Sequence, residues 1–226
     1  MAQPITRDVV RDLLGVLELP EPIVEFGAMQ VEADQDGDLR PLFAGRDFTG
    51  TDFREGPGVD RVEDLRALTF GDGEVGTAIC LDTLEHCEDP PQACRELARV
   101  VRPDGGVCVI SSVMLFGIHG YPSDYFRFTP EAFRSMLSGF DDVWVFGTHD
   151  PDIPREVFGV GVKGRTLDLS LDRLPRLAAY QRAWEEARDG VRIGPLRVPP
   201  RELARILRSE VPRLARGRLS RRGAPR

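Results

Sequence analysis

Four carboxylates stand at the ends of four apolar, β-rich runs: Glu25 in IVEFG, Asp52 in DFTGTD, Asp64 in VDRVED and Asp82 in GTAICLD. A carboxylate buried without a partner is costly, so packing alone is a poor account of acids placed this way. In an open α/β sheet, ligands sit beyond the carboxyl ends of the strands, where the strand order reverses. Carboxylates there accept hydrogen bonds from hydroxyl and amino groups, attract a cation and repel phosphate. Asp52 is placed to accept from the hydroxyls of a ribose, and Asp64 from an amino group of a base. A dinucleotide would need bare backbone N–H groups at a helix N-terminus. After the first strand the chain instead reads EFGAMQVEADQD, with Glu32 and Asp34 where phosphate would lie. The pattern favours a phosphate-free, positively charged nucleoside over a nicotinamide dinucleotide.

Two further stretches carry polar chemistry. LDTLEHCEDP puts Asp82, Glu85 and His86 within one turn if it coils, close enough to share a metal ion. The other reading, that Glu85 and His86 hold the loop and cap the next helix, is favoured, and no metal site is expected. HGYPSDYFRFTPEAF is the densest polar-aromatic stretch. Within it His119 is placed for a general base near neutral pH. Tyr121, Tyr125, Phe126 and Phe128 would wall a substrate pocket together with His86. Asp124 and Arg127, spaced i,i+3, either orient a polar substrate or clamp the start of the following helix. His149 reads as a loop residue rather than a ligand.

A scaffold must position these groups. Residues 6–17 have the apolar spacing of an amphipathic helix, with Thr6 as N-cap and Pro20 as stop. PIVEF, DFTGTD, VDRVED, GTAICLD and GVCVISSV read as strands, and LRPLF as a helical turn. PPQACRELARVV is a helix with prolines at its start, and TPEAFRSML one with Thr129 as N-cap and Pro130 at its first position. DVWVFGT and EVFGVGVK are too close for a crossover helix and form an antiparallel hairpin. Strands alternating with helices, five times, predict an α/β, Rossmann-like sandwich. Its mainly parallel seven-stranded sheet ends in an antiparallel last strand. One domain is expected over residues 1–164, and a helical extension with a basic, flexible tail over 165–226. In the extension LPRLAAYQRAWEEAR reads as a helix, DGVRIGPLRVPP as a loop, and the remainder as a basic helix broken at Pro212.

The 226 residues are 41% hydrophobic and 30% charged, as in a soluble globular chain. No basic-then-apolar leader opens the sequence, and the longest nearly apolar segment, Val107 to Ile118, is too short to span a bilayer, so a cytoplasmic location is expected. Cys80, Cys87, Cys94 and Cys108 form no CxxC pair and are expected as reduced, buried thiols. From Arg197 onward ten arginines face only Glu202 and Glu210, a balance of +8 in a chain of net charge −7, which leaves −15 on residues 1–196. An acidic body disfavours a nucleic-acid partner. The tail suits an anionic membrane or an acidic partner, or stays solvated.

Taken in order, VEFG…GTDFREGPGVDRVEDL…GTAICLDTLEHCEDPPQACRELARVVRPDGG…HGYPSDYFRFTPEAF resembles the class I S-adenosylmethionine-dependent methyltransferases over about residues 20–163. It is most similar to the broad group with an LD-x-LEH…DP…L-RVLRPGG core. The resemblance implies S-adenosylmethionine as cofactor and an enzyme that transfers its methyl group. It places Glu25 and Gly27 at the methionine part, Asp52 at the ribose, Asp64 beside adenine and Asp82 at the start of the segment flanking the methyl, with Leu65 and Leu81 also at the cofactor. The family usually shows E/D-x-G-x-G-x-G, and only Gly27 survives here, so a wider turn is expected, or a longer loop in which Gly37 supplies flexibility. Sequences of the HGYPSDYFRFT kind imply a small-molecule or glycan-type acceptor. The alternative is a methyltransferase fold kept as a non-catalytic binding or scaffold unit.

Overall fold

The computed structural model describes residues 4–30, 37–120, 122–186, 191–193, 196–198, 204 and 208. The chain divides into two compact units, Met1–Ala178 and Ala179–Arg226.

In the first unit, seven strands follow the predicted runs: β1 Ile23–Phe26, β2 Phe48–Asp52, β3 Arg61–Val62, β4 Thr77–Cys80, β5 Val107–Val113, β6 Asp142–His149 and β7 Pro154–Val162. They form one sheet in the order β3-β2-β1-β4-β5-β7-β6. The first five strands pair in parallel, and β7 runs antiparallel to both β5 and β6. Every residue of β4 and β5 is buried, as befits central parallel strands covered on both faces. From β1 the chain moves outward to β2 and β3, then returns to the other side of β1 as β4. The order therefore reverses between β1 and β4, and their carboxyl ends bound a crevice.

Three helices of this unit obey their sequence signals. Helix α1 spans Pro4–Val16 and buries Val9, Val10 and Leu13 completely. Thr6, expected as its cap, is instead a fully buried residue inside it, because the helix begins two residues earlier at a proline, which the first turn tolerates. Helix α2, Pro90–Val100, is capped by Asp89, whose side chain accepts from the Gln92 N–H. Thr129 does the same for α3, Pro130–Met136, accepting from the Ala132 N–H. Helix α4, Pro175–Glu186, starts on a carboxylate from far away in sequence: Asp12 of α1 accepts from the backbone N–H groups of Arg176 at 2.8 Å and Leu177 at 3.1 Å, and from Arg176 Nη1 at 2.9 Å.

The regular alternation of five strands with helices does not hold. Between β3 and β4 the described chain has no helix. Side chains fasten it instead: Glu63 accepts from the Thr69 N–H, Glu96 from the Leu68 N–H, and Arg99 donates to the carbonyls of Leu68 and Phe70. In the second unit the expected loop is a hairpin, β8 Val191–Ile193 and β9 Leu196–Val198, with Val191 opposite Val198. The apolar-polar-apolar alternation of VRI and LRV was its overlooked signal. Of the predicted basic helix, only Ala204 and Arg208 are described, both helical. The rest lies outside the described residues. All four cysteines are free, three of them buried and Cys87 half-buried. No described helix is long and apolar enough to cross a membrane.

Glu156 sits opposite Val113 in the sheet, fully buried, and neither of its carboxylate oxygens has a hydrogen-bond partner among the described residues. Burial, reinforced by the nearby Asp82 charge, pushes its pKa up to about 8. The folded chain thus holds a proton that the unfolded chain releases at the ordinary glutamate pKa, so this group's stabilising contribution falls as pH rises from about 4.5 to about 8. By calorimetry, Glu156→Gln is expected to melt roughly 5 °C or more above the unsubstituted chain at about pH 9, with the difference vanishing near pH 5.

Candidate functional site

A cavity of about 280 Å³ opens in the first unit over the carboxyl ends of β1, β2 and β4, close to the lower size limit of ligand pockets, roughly 300 Å³. Glu25, Gly27, Asp52, Asp64, Leu65, Leu81 and Asp82, the residues expected at the cofactor, all lie on its wall. Seven carboxylates and four arginines line it, an acidic balance that suits a cation.

The loop after β1 has a particular architecture. Gly27 adopts φ +89°, and a Cβ there would overlap the Thr83 side chain. The backbone conformation and the contact with Thr83 both call for glycine here. The N–H groups of Gly27 and Ala28 both donate to the Thr51 carbonyl at 2.8 Å, and that of Gln30 to the Pro57 carbonyl at 2.9 Å. With these donors consumed inside the protein, the turn offers phosphate little. Gly50 of β2 and Gly58 of the following loop make a close backbone contact with the first loop. A Cβ on Gly50 would strike the Gly58 carbonyl, and one on Gly58 (φ +86°) would strike the Ala28 carbonyl. Arg40 Nη2 and Asp60 pin this contact: Arg40 donates to the Gly58 carbonyl at 2.7 Å, and Asp60 accepts from Arg40 at 2.6 Å and from the Gly50 N–H at 2.8 Å. GTDFREGPG therefore carried a signal that reading the first loop alone missed.

The four acids differ in state. Burial pushes the Glu25 pKa up to about 8, with nearby Asp38 adding to the rise and Arg40 opposing it. Burial also raises the Asp52 pKa, against backbone N–H groups led by that of Arg54, which donates at 3.1 Å. Asp64 is exposed and gripped by Arg66 through Nε and Nη2, which holds its carboxyl below the usual range. Asp82 has a left-handed backbone (φ +45°) and accepts from Ser111 Oγ at 2.8 Å.

That last bond separates Asp82 from Glu85. Glu85 accepts from the hydroxyl of Ser112 at 2.6 Å, and successive strand residues point to opposite faces of the sheet. Leu84–His86 form a single 3-10 turn. The arrangement of Asp82, Glu85 and His86 around one point is thus not what the chain adopts.

His86 from the turn after β4, and Pro122, Ser123 and Tyr125 from the loop after β5, reach the cavity wall, whereas Tyr121 lies outside the described residues. Phe128 is a core residue and Phe126 is exposed. Asp124 and Arg127, expected at the substrate, are not on the wall. They form a two-pronged ion pair at 2.5 and 2.7 Å, Asp124 also accepts from the His119 N–H, and Arg127 donates to the Gly117 carbonyl. The pair is a loop clamp, and Arg127 holds the Asp124 carboxyl well below its ordinary range. His119 is likewise off the wall, its ring packed edge-on against His86 with centroids 4.8 Å apart. Burial lowers the His86 pKa, so its ring is neutral near pH 7.

Residues 45–109 match the family model described as a methyltransferase domain. The fold aligns with an S-adenosylmethionine-dependent methyltransferase from Thermotoga maritima, at 20% identity and a TM-score of 0.51, covering 71% of this chain and 89% of that one. It also aligns with phosphoethanolamine N-methyltransferase 2 of Haemonchus contortus, whose structure holds phosphomonomethylethanolamine and S-adenosylhomocysteine. That match has 13% identity and a TM-score of 0.53, covering 71% of this chain and 53% of that one. The chain has the class I methyltransferase fold. Within that fold the cavity occupies the strand-order reversal, and the matched segment supplies β2, β3, β4 and the first three residues of β5. The first loop of this chain keeps Gly27, and a close backbone contact joins Gly50, Gly58 and Ala28 beside it.

Replacing Gly27 by alanine puts a side chain at φ +89° against Thr83. The expected loss is roughly 1–3 kcal/mol of stability, read as a lower urea midpoint with an unchanged slope.

Proposed function

We propose that the chain is an S-adenosylmethionine-dependent methyltransferase acting on a small-molecule or glycan-type acceptor by in-line methyl transfer. One observation carries the reading: the ends of neighbouring strands bring Glu25, Asp52, Asp64 and Asp82 to one cavity at the strand-order reversal of a methyltransferase fold. The donor set fits the cofactor, because the wall is acidic and the first loop's N–H groups are already bonded to carbonyls.

When bound, S-adenosylmethionine supplies an electrophilic methyl group on a cationic sulfur. Asp52 accepts from the ribose hydroxyls, Glu25 faces the methionine part, and Leu65 and Leu81 give the apolar wall for the base. Asp64 comes to the base already paired with Arg66, so its contact is weaker than that of Asp52. The carboxylates act mainly on binding, since the sulfonium charge fades as the methyl leaves. Orientation of the two reactants supplies the rate. His86, Ser123 and Tyr125 bound the side from which an acceptor approaches, and their hydroxyl and imidazole groups suit a hydroxyl-bearing molecule.

Isothermal titration with S-adenosylmethionine is expected to give one site per chain. Asp52→Ala should weaken it at least tenfold, a loss of about 1.4 kcal/mol. No heat and no thermal shift at roughly millimolar cofactor would instead assign the chain to a non-catalytic scaffold.

Glu25 adds a pH signature. Below its pKa of about 8 it is largely neutral in the free chain, and a bound cation favours the carboxylate, so binding releases a proton near pH 7. The cofactor Kd should fall as pH rises from about 7 to 9. Glu25→Gln should remove that slope, and the difference between the two chains isolates Glu25 from titration of the cofactor's own amino group.

A further inference from the structure

We propose that Glu85, His86 and His119 form a binding site for a divalent transition-metal ion of the zinc class, at the acceptor edge of the cavity. One ligand atom from each residue lies within 4.8 Å of the other two. Donors around an ion with bonds of about 2.1 Å stand roughly 3.4 Å apart, so small side-chain rotations close the site. Glu85 and His86 come from the turn after β4, and His119 from the loop after β5. Their meeting is a product of the fold and not of one sequence motif.

The bonding around the three residues has the form of a ligand set. Glu85 is almost fully buried; its Oε2 accepts from Ser112 Oγ at 2.6 Å, while its Oε1 is buried with no partner among the described residues. A bare carboxylate oxygen in the interior calls for an occupant. His86 Nδ1 lies 2.6 Å from the Ser123 carbonyl. His119 Nδ1 lies 3.2 Å from Asp124 Oδ2 and 3.2 Å from the Gly117 carbonyl. These neighbours only accept, so Nδ1 carries the hydrogen in both rings and Nε2 presents its lone pair. Metal-bound histidines are oriented in this way, by a carboxylate or carbonyl behind the ring. Asp124 is itself fixed by Arg127 at 2.5 and 2.7 Å, which gives the loop clamp a purpose.

Two imidazoles and one carboxylate suit zinc, cobalt or ferrous iron better than magnesium or calcium, which prefer all-oxygen sets. Three protein ligands leave a coordination position open. Of the three ligands His86 lines the cavity, so an ion held here would lie at the cavity's edge. A Lewis acid there would act on the acceptor; this role rests on the methyl-transfer reading, but binding of the ion does not.

The test uses the full chain, stripped with a chelator and free of S-adenosylmethionine, titrated calorimetrically with zinc and followed by visible absorption with cobalt. One ion per chain is expected. His119→Ala and Glu85→Gln should each weaken binding at least tenfold and alter the cobalt spectrum, while His149→Ala and Cys87→Ser leave both unchanged. Melting curves of the metal-free variants check that each folds, and Glu85→Gln retains the side-chain shape beside Ser112 should His119→Ala disturb the loop. The proposal is overturned by substoichiometric binding, by full affinity in both His119→Ala and Glu85→Gln, or by loss of binding only in Cys87→Ser.

Discussion

Two adjacent serines in the central strand β5 divide the chemistry of this molecule. Ser111 binds Asp82 and Ser112 binds Glu85, on opposite faces of the sheet. A strand permits nothing else, since neighbouring side chains must alternate. Two carboxylates only three residues apart are thereby sent to different tasks. Asp82 joins the cavity wall above β1 and β4, and Glu85 turns towards the two histidines. Both hydroxyls are wholly buried, where each bond is strong and each loss costly.

The fold was legible because its signals are local. Apolar runs gave the seven strands, the paired prolines announced α2, and Thr129 announced α3 through a cap position that side-chain chemistry dictates. The hairpin of the second unit was missed because Gly194 and Pro195 read as loop punctuation, although the short runs on either side alternate correctly. The site was legible only in outline. Acids at strand ends could be placed on a common rim, but not their partners. That Arg66 engages Asp64, or that Arg127 takes Asp124 away from the cavity, depends on rotamers and loop paths that spacing does not encode. His119 shows the same limit: sequence places it in the right loop, and only the packed structure sets it behind His86.

Arginine has a structural role here that its abundance in the sequence conceals. Arg40, Arg66, Arg99 and Arg127 each bind a carboxylate, and three of them also bind a backbone carbonyl, stitching loops that lack regular structure. A planar fork with five donors suits such divided attachment, and a lysine ammonium would supply one centre of charge. The single lysine, Lys163, does what a point donor does well: its Nζ donates to the Ala98 and Val101 carbonyls where α2 ends.

The seating of α4 on Asp12 bears on how this chain may be shortened. The Asp12 side chain is sealed from solvent, and the groups that satisfy it belong to Arg176 and Leu177. A version cut back to the end of β7 would keep the whole sheet yet leave an anion in the interior with those three donors gone. The smallest piece able to stand alone therefore has to extend past the first turn of α4.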